Sequence, residues 1–155
     1  KIIFLDCDGV INSTQWEVTR KDLPPGSYVD NAIDPRCVQR IVEICEATGA
    51  KIVMSSDWRV VWPFSRTRLE RAGIPEGLII DCTPFLNQVP GALRVSRGTE
   101  IQAWIDTHKD TYDYLIIDDR EDFTPEQTRL HLIHTNNWVG ITEKDTNAAI
   151  EMLSR

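Results

Sequence analysis

Residues 1–10 read Lys1-Ile2-Ile3-Phe4-Leu5-Asp6-Cys7-Asp8-Gly9-Val10. A short apolar run that stops on a polar cluster fits a strand buried in a parallel sheet. Two acids spaced i, i+2 then leave that strand where it meets solvent. One carboxylate can attack phosphorus and form an acyl phosphate. The other can protonate the leaving oxygen and later activate water. Gly9 permits a tight turn that brings backbone near a phosphate. The plainer reading is a strand end followed by an ordinary Asp-Gly turn.

Moving outward, the same pattern returns twice. Residues 51–54 (KIVM) form an apolar run ending at Ser55-Ser56-Asp57, and residues 112–117 (YDYLII) form one ending at Asp118-Asp119. Between and after them the helical signals are regular. Residues 35–48 carry a capping Asp34, Pro35 in the first turn and a stopping Gly49, with Val38, Ile41, Val42 and Cys45 on one face. A helix is expected around 65–72, stopped by Gly73 and Pro75, and then a strand at 78–80. Residues 98–108 are helical, with Ile101, Trp104, Ile105 and His108 at i, i+3, i+4 and i+7. Thr124-Pro125 opens a short helix, 130–134 (LHLIH) read as a strand, and Thr142-x-x-Asp145 resembles a capping box opening a last helix with Ala149, Ile150 and Leu153 inward. Alternating strands and helices predict an α/β fold: a Rossmann-like three-layer sandwich around a parallel sheet. Ligands in such sheets bind at the carboxyl ends of the strands.

Three polar strand ends meeting at one rim suit phosphoryl transfer. Asp118 and Asp119, with Asp122 a weaker candidate, offer the oxygen ligands that magnesium prefers. A hydroxyl at Ser55 or Ser56 can hold a phosphoryl oxygen. Arg97, with Lys109 as a rival, can neutralise the equatorial oxygens. Taken singly, these features also fit an acidic loop, a helix cap and a surface charge. Trp58 and Trp62, with Arg59 and Arg66, either floor a substrate site by stacking on bases or simply pack. His131 and His134, on a strand, face opposite sides and are not expected to share a metal.

The chain has 155 residues, enough for one domain, and 41% of them are hydrophobic. No apolar stretch approaches the roughly 20 residues needed to span a bilayer, and the opening run is too short for a signal peptide. The first residue is Lys1 rather than methionine, which suggests a trimmed start or a domain of a longer protein. Cys7, Cys37, Cys45 and Cys82 form no C-x-x-C pair, so zinc and redox motifs are unsupported and a reducing, cytoplasmic setting is expected. The net charge of −7 disfavours general polyanion binding, although carboxylates gathered in a metal site inflate it.

Taken together, order, spacing and strand-end placement resemble the haloacid dehalogenase (HAD) superfamily over essentially the whole chain. FLDCDGV matches its first motif in full, IVMS its second with Ser55, and LIIDD its fourth with Asp118 and Asp119. In SRGTEIQAWI, Arg97 stands where the family usually has Lys. Arginine is planar and always charged, so it can still clamp a phosphate. The resemblance implies a phosphatase with Asp6 as nucleophile and metal ligand, and Asp8 as general acid/base whose carbonyl also binds magnesium. It further implies Ser55 (or Ser56, if the strand runs one residue longer) on the phosphoryl group, and Asp118 and Asp119 on the metal.

Neither 9–34 nor 57–96 is long enough for a full cap domain, so the site is expected to be open to large substrates. The phrases SSDWR, IIDCTP, RGTEI–WI and LIIDD–DF look most like the phosphatase domains of bacterial and phage nucleic-acid repair proteins. That points to the 3′- or 5′-phosphate of an RNA or DNA end. Residues 12–34, with Trp16, Arg20, Lys21 and Tyr28, would form a flap over the site. A small-molecule phosphatase such as a nucleotidase, a phosphotransferase and a non-catalytic phosphate-binding module remain alternatives. Oligomeric state is open, and no membrane partner is expected.

Overall fold

The computed structural model describes residues 1–88, 94–109 and 113–155. Its first strand, β1 (Ile2–Leu5), is buried along its whole length. Successive side chains of a strand point to opposite faces. Ile3 and Leu5 accordingly join one apolar cluster, and Ile2 and Phe4 join another. A strand covered on both faces has no solvent side, so every position is apolar.

β1 pairs in parallel with β2 (Lys51–Met54) on one side and β4 (Tyr114–Asp118) on the other. β3 (Ile79–Cys82) and β5 (Leu132–His134) complete the sheet in the order β3-β2-β1-β4-β5, all parallel. The connecting helices are α1 (Thr14–Thr19), α2 (Pro35–Thr48), α3 (Phe64–Arg71), α4 (Arg97–Thr107), α5 (Pro125–Leu130) and α6 (Glu143–Leu153). One face of the sheet is covered by Cys37, Val38, Ile41, Ile44 and Cys45 of α2, Leu69 of α3, and Ala149 and Leu153 of α6. The other is covered by Ile101 and Trp104 of α4, with Phe4 edge-on to Trp104 at 5.4 Å. This is the Rossmann-like α/β sandwich that the alternation of elements predicts. Strand order reverses direction between β1 and β4, so a crevice opens at their carboxyl ends.

The caps also fall where the sequence places them. Asp34 accepts from the Arg36 amide, Gly49 closes α2 at φ 71°, and Thr142 and Asp145 form a reciprocal box at the start of α6. Two strands differ from the sequence reading. β3 begins at Ile79 and runs to Cys82, because Gly77 and Leu78 still belong to the preceding turn. β5 is only Leu132–His134, because α5 continues through Leu130 and His131 ends it. The expected strand 112–117 begins at Tyr112, outside the described residues; β4 spans Tyr114–Asp118.

Residues 12–34 form no separate domain layer. Trp16 of α1 is buried, donates from Nε1 to the Asn31 carbonyl at 3.0 Å, and meets Tyr28 edge-on. Asp30 ties this segment to α3 through Arg68. Among the described residues no helix is long and apolar enough to cross a membrane.

Candidate active site

The carboxyl ends of β1 and β4 bring Asp6 and Asp118 together at the reversal point. The Asp6 amide donates to the Ile117 carbonyl at 3.0 Å, which fixes the two ends side by side. Both acids are buried. Asp6, Asp118 and Asp119 each offer a carboxylate oxygen, all within 4.8 Å of one another. Gly9, at φ 76°, lies against this cluster: a Cβ there would sit 2.6 Å from Asp119 Cγ. The turn after β1 therefore needs glycine for conformation and for clearance. An oxygen-only cluster of three carboxylates fits a hard divalent cation such as magnesium.

Arg97, the first residue of α4, is buried and reaches into the same cluster. Its Nη1 donates to Asp6 Oδ1 at 2.6 Å and to Asp118 Oδ2 at 3.0 Å, and its Nη2 donates to Asp57 Oδ1 at 3.1 Å. The start of α4 is held by Asp122, whose carboxylate accepts from the Arg97 amide and whose carbonyl accepts from the Gly98 amide. Asp122, the weaker metal candidate, is thus occupied with the helix start and stands outside the carboxylate cluster. Lys109, the rival cation, lies past the opposite end of α4 beside Asp81, Trp104 and His108, so it does not join this site.

Burial pushes the Asp6 carboxyl above its ordinary range, while Arg97 and the Ser56 hydroxyl pull it back down. Asp118 is pushed up to about 7, first by burial and then by the charge on Asp6, with Arg97 opposing. One guanidinium does not fully compensate two buried carboxylates.

Asp8 has a different environment. It is exposed, and its two oxygens accept from Asn12 Nδ2 at 2.7 Å and from Trp58 Nε1 at 3.1 Å. Its side chain is not part of the carboxylate cluster, which leaves only its backbone for the metal-binding part expected of it. A cavity of about 270 Å3 opens on Asp8 and Asp119, lined also by Asn12, Ser13, Thr14, Glu17 and Asn137.

Ser55 and Ser56 follow β2 and are both buried. Ser56 Oγ accepts from the Trp58 amide at 3.3 Å and so caps the 3-10 turn at Asp57–Val61. Ser55 Oγ has no hydrogen-bond partner among the described residues. Arg59, expected as a substrate contact, is buried; it pairs with Glu100 and donates to the Ser55 and Ser56 carbonyls. Its guanidinium bolts the end of β2 to α4 and is not presented to solvent. Trp58 is half-buried, with the Arg68 guanidinium 4.4 Å from its ring centroid.

Sequence reasoning missed Asn12, Asp57 and Glu100. Asp57 accepts from both Arg97 and Arg120, which sets the plane of the Arg97 fork. Its position directly after Ser56 was the available signal. Glu100 lies one helical turn after Arg97, and nothing local marks it. His131 ends α5 and stacks on Tyr114, while His134 sits beside the Asp119 carbonyl at 2.9 Å; they share no site.

A family model described as "HAD domain in Swiss Army Knife RNA repair proteins" matches residues 2–146. No curated protein matches the chain.

Proposed function

The chain belongs to the family of HAD domains in Swiss Army Knife RNA repair proteins, and from that premise we propose that it is a magnesium-dependent phosphomonoesterase acting on a polynucleotide end. The observation that carries this reading is the contrast between its first two acids. Asp6 is buried against Arg97 and Asp118, whereas Asp8 stands exposed beside the cavity. Two carboxylates in unlike environments suit a nucleophile and an acid/base partner.

In the first step an Asp6 carboxylate oxygen bonds to phosphorus and the ester P–O bond breaks. Its electron pair stays on the leaving oxygen, which takes a proton from Asp8. In the second, Asp8 takes a proton from water as the water oxygen attacks phosphorus. The acyl-phosphate bond breaks, releasing inorganic phosphate and restoring Asp6. Arg97 holds negative phosphoryl oxygens beside Asp6. Ser55, whose buried hydroxyl has no partner among the described residues, hydrogen-bonds a phosphoryl oxygen. Asp6, Asp118, Asp119 and the Asp8 carbonyl would hold the magnesium, which supplies charge neutralisation at the phosphoryl group.

Membership of a family found in RNA repair proteins supports an RNA end as substrate. One observation favours a second reading, a nucleotidase: among the described residues, no Lys or Arg lines the cavity beside Asp8. Phosphate release from 3′- and 5′-phosphorylated RNA and DNA oligonucleotides, beside nucleoside monophosphates, separates the two. Preference for one oligonucleotide end supports end repair and identifies the end. Release from mononucleotides alone moves the assignment to the nucleotidase.

A further inference from the structure

The 12–34 segment grips the proposed general acid from both of its own ends. At one end, Asn12 donates to Asp8 Oδ1 at 2.7 Å and is itself fixed by the Gly9 amide at 2.9 Å. At the other, Asp30 takes Arg68 in a two-point fork, with Nε to Oδ2 at 2.5 Å and Nη2 to Oδ1 at 2.8 Å. The Arg68 guanidinium lies over the Trp58 ring, 4.4 Å from its centroid, and Trp58 Nε1 donates to Asp8 Oδ2 at 3.1 Å. A fork fixes the plane of a guanidinium. A guanidinium over an indole favours one ring placement. The indole N–H is a donor only, so its aim selects an acceptor.

We propose that Asp30, Arg68 and Trp58 form a positioning chain through which the 12–34 segment holds the Asp8 carboxyl where it meets the leaving oxygen. The inference rests on the acid role given to Asp8 above. It makes Trp58 a positioning residue rather than a stacking platform for bases: its N–H is committed to Asp8 and Arg68 lies against its ring. It also gives the segment a task besides lining the cavity beside Asp8. Asn12 holds one oxygen of Asp8 directly and Asp30 holds the other through Arg68 and Trp58, so any movement of 12–34 moves both grips.

Leaving-group dependence tests this. A p-nitrophenolate departs with little protonation, whereas a nucleoside alkoxide needs a proton from the acid. The second-order constant kcat/KM runs only through departure of the leaving group, so activation of water does not enter it. The ratio of kcat/KM for p-nitrophenyl phosphate to that for whichever phosphorylated oligonucleotide or nucleoside monophosphate wild type hydrolyses best is measured in wild type, Asp8→Asn, Trp58→Phe and Asp30→Asn. Both substrates are assayed on the same preparation, so an unfolded fraction cancels. The ratio is expected to rise most in Asp8→Asn, and about tenfold or more in Trp58→Phe and Asp30→Asn, a part of the effect typical of a general acid. A raised ratio in Asp8→Asn with unchanged ratios in the other two overturns the positioning chain and leaves the acid role standing. An unchanged ratio in Asp8→Asn overturns the acid role and the chain together.

Discussion

A single nitrogen of Arg97 bridges Asp6 and Asp118, at 2.6 and 3.0 Å, with all three side chains buried. One positive charge faces two carboxylates, and burial raises the proton affinity of both. The cluster is therefore short of positive charge, and Asp119 adds a third carboxylate to it. Three gathered carboxylates facing one guanidinium could hold a hard divalent cation.

Arg97→Met leaves two buried acids without a counter-charge. Loss of one partner from a buried ion pair costs about 3–5 kcal/mol. Denaturant unfolding at neutral pH without metal is expected to show a loss of that order, and phosphate release is expected to disappear. Arg97→Lys keeps the charge but not the fork to Asp57, so it should retain part of both.

Metal binding should stabilise the fold more at high pH than at low pH. Asp118 is pushed up to about 7 from an ordinary 3.8, so the folded state holds a proton that the unfolded state has released. This penalty is absent below pH 4, grows as pH rises toward 7, and is full above it. A divalent cation replaces that proton. Thermal melts with and without magnesium at pH 5.5 and pH 8 are expected to give the larger Tm increase at pH 8. Equal increases would contradict the assignment of Asp118 to the metal.

Gly9→Ala should impair metal use without replacing a ligand. Its φ of 76° suits glycine, and a Cβ would overlap the Asp119 carboxylate. Activity titrated with magnesium is expected to show a weakened half-saturation. An unchanged titration would remove Asp119 from the site.

Away from the rim, Thr142→Ala tests the fold alone. It removes one half of the box that caps α6. It should cost about 1 kcal/mol of stability and leave phosphate release per folded molecule unchanged.

The strand ends were legible because their signals are local. An apolar run that stops on Asp6, on Ser55 or on Asp118 announces a buried strand meeting the rim. Asp34, Gly49 and the Thr142–Asp145 box mark helix ends for the same reason. Arg97 was found at the start of its helix, but what it touches depends on pairings across 91 residues, which periodicity does not encode. For Arg59 the sequence left contact with substrate and packing both open, and the structure shows it buried and paired. Its partner Glu100 is 41 residues away. Trp58 and Asp8, 50 residues apart, meet only after β1 and β2 pair. The short strand at 130–134 was read too long because α5 and β5 share one apolar stretch.

The central claim is that Asp6 is the nucleophile, and the most direct measurement is magnesium-dependent phosphate release by wild type beside Asp6→Asn. A substrate with a good leaving group, p-nitrophenyl phosphate, is used, and folding of the variant is checked by circular dichroism. The account predicts release by wild type that stops in EDTA and returns with magnesium, and no release by the folded variant. Appreciable turnover by Asp6→Asn would contradict it.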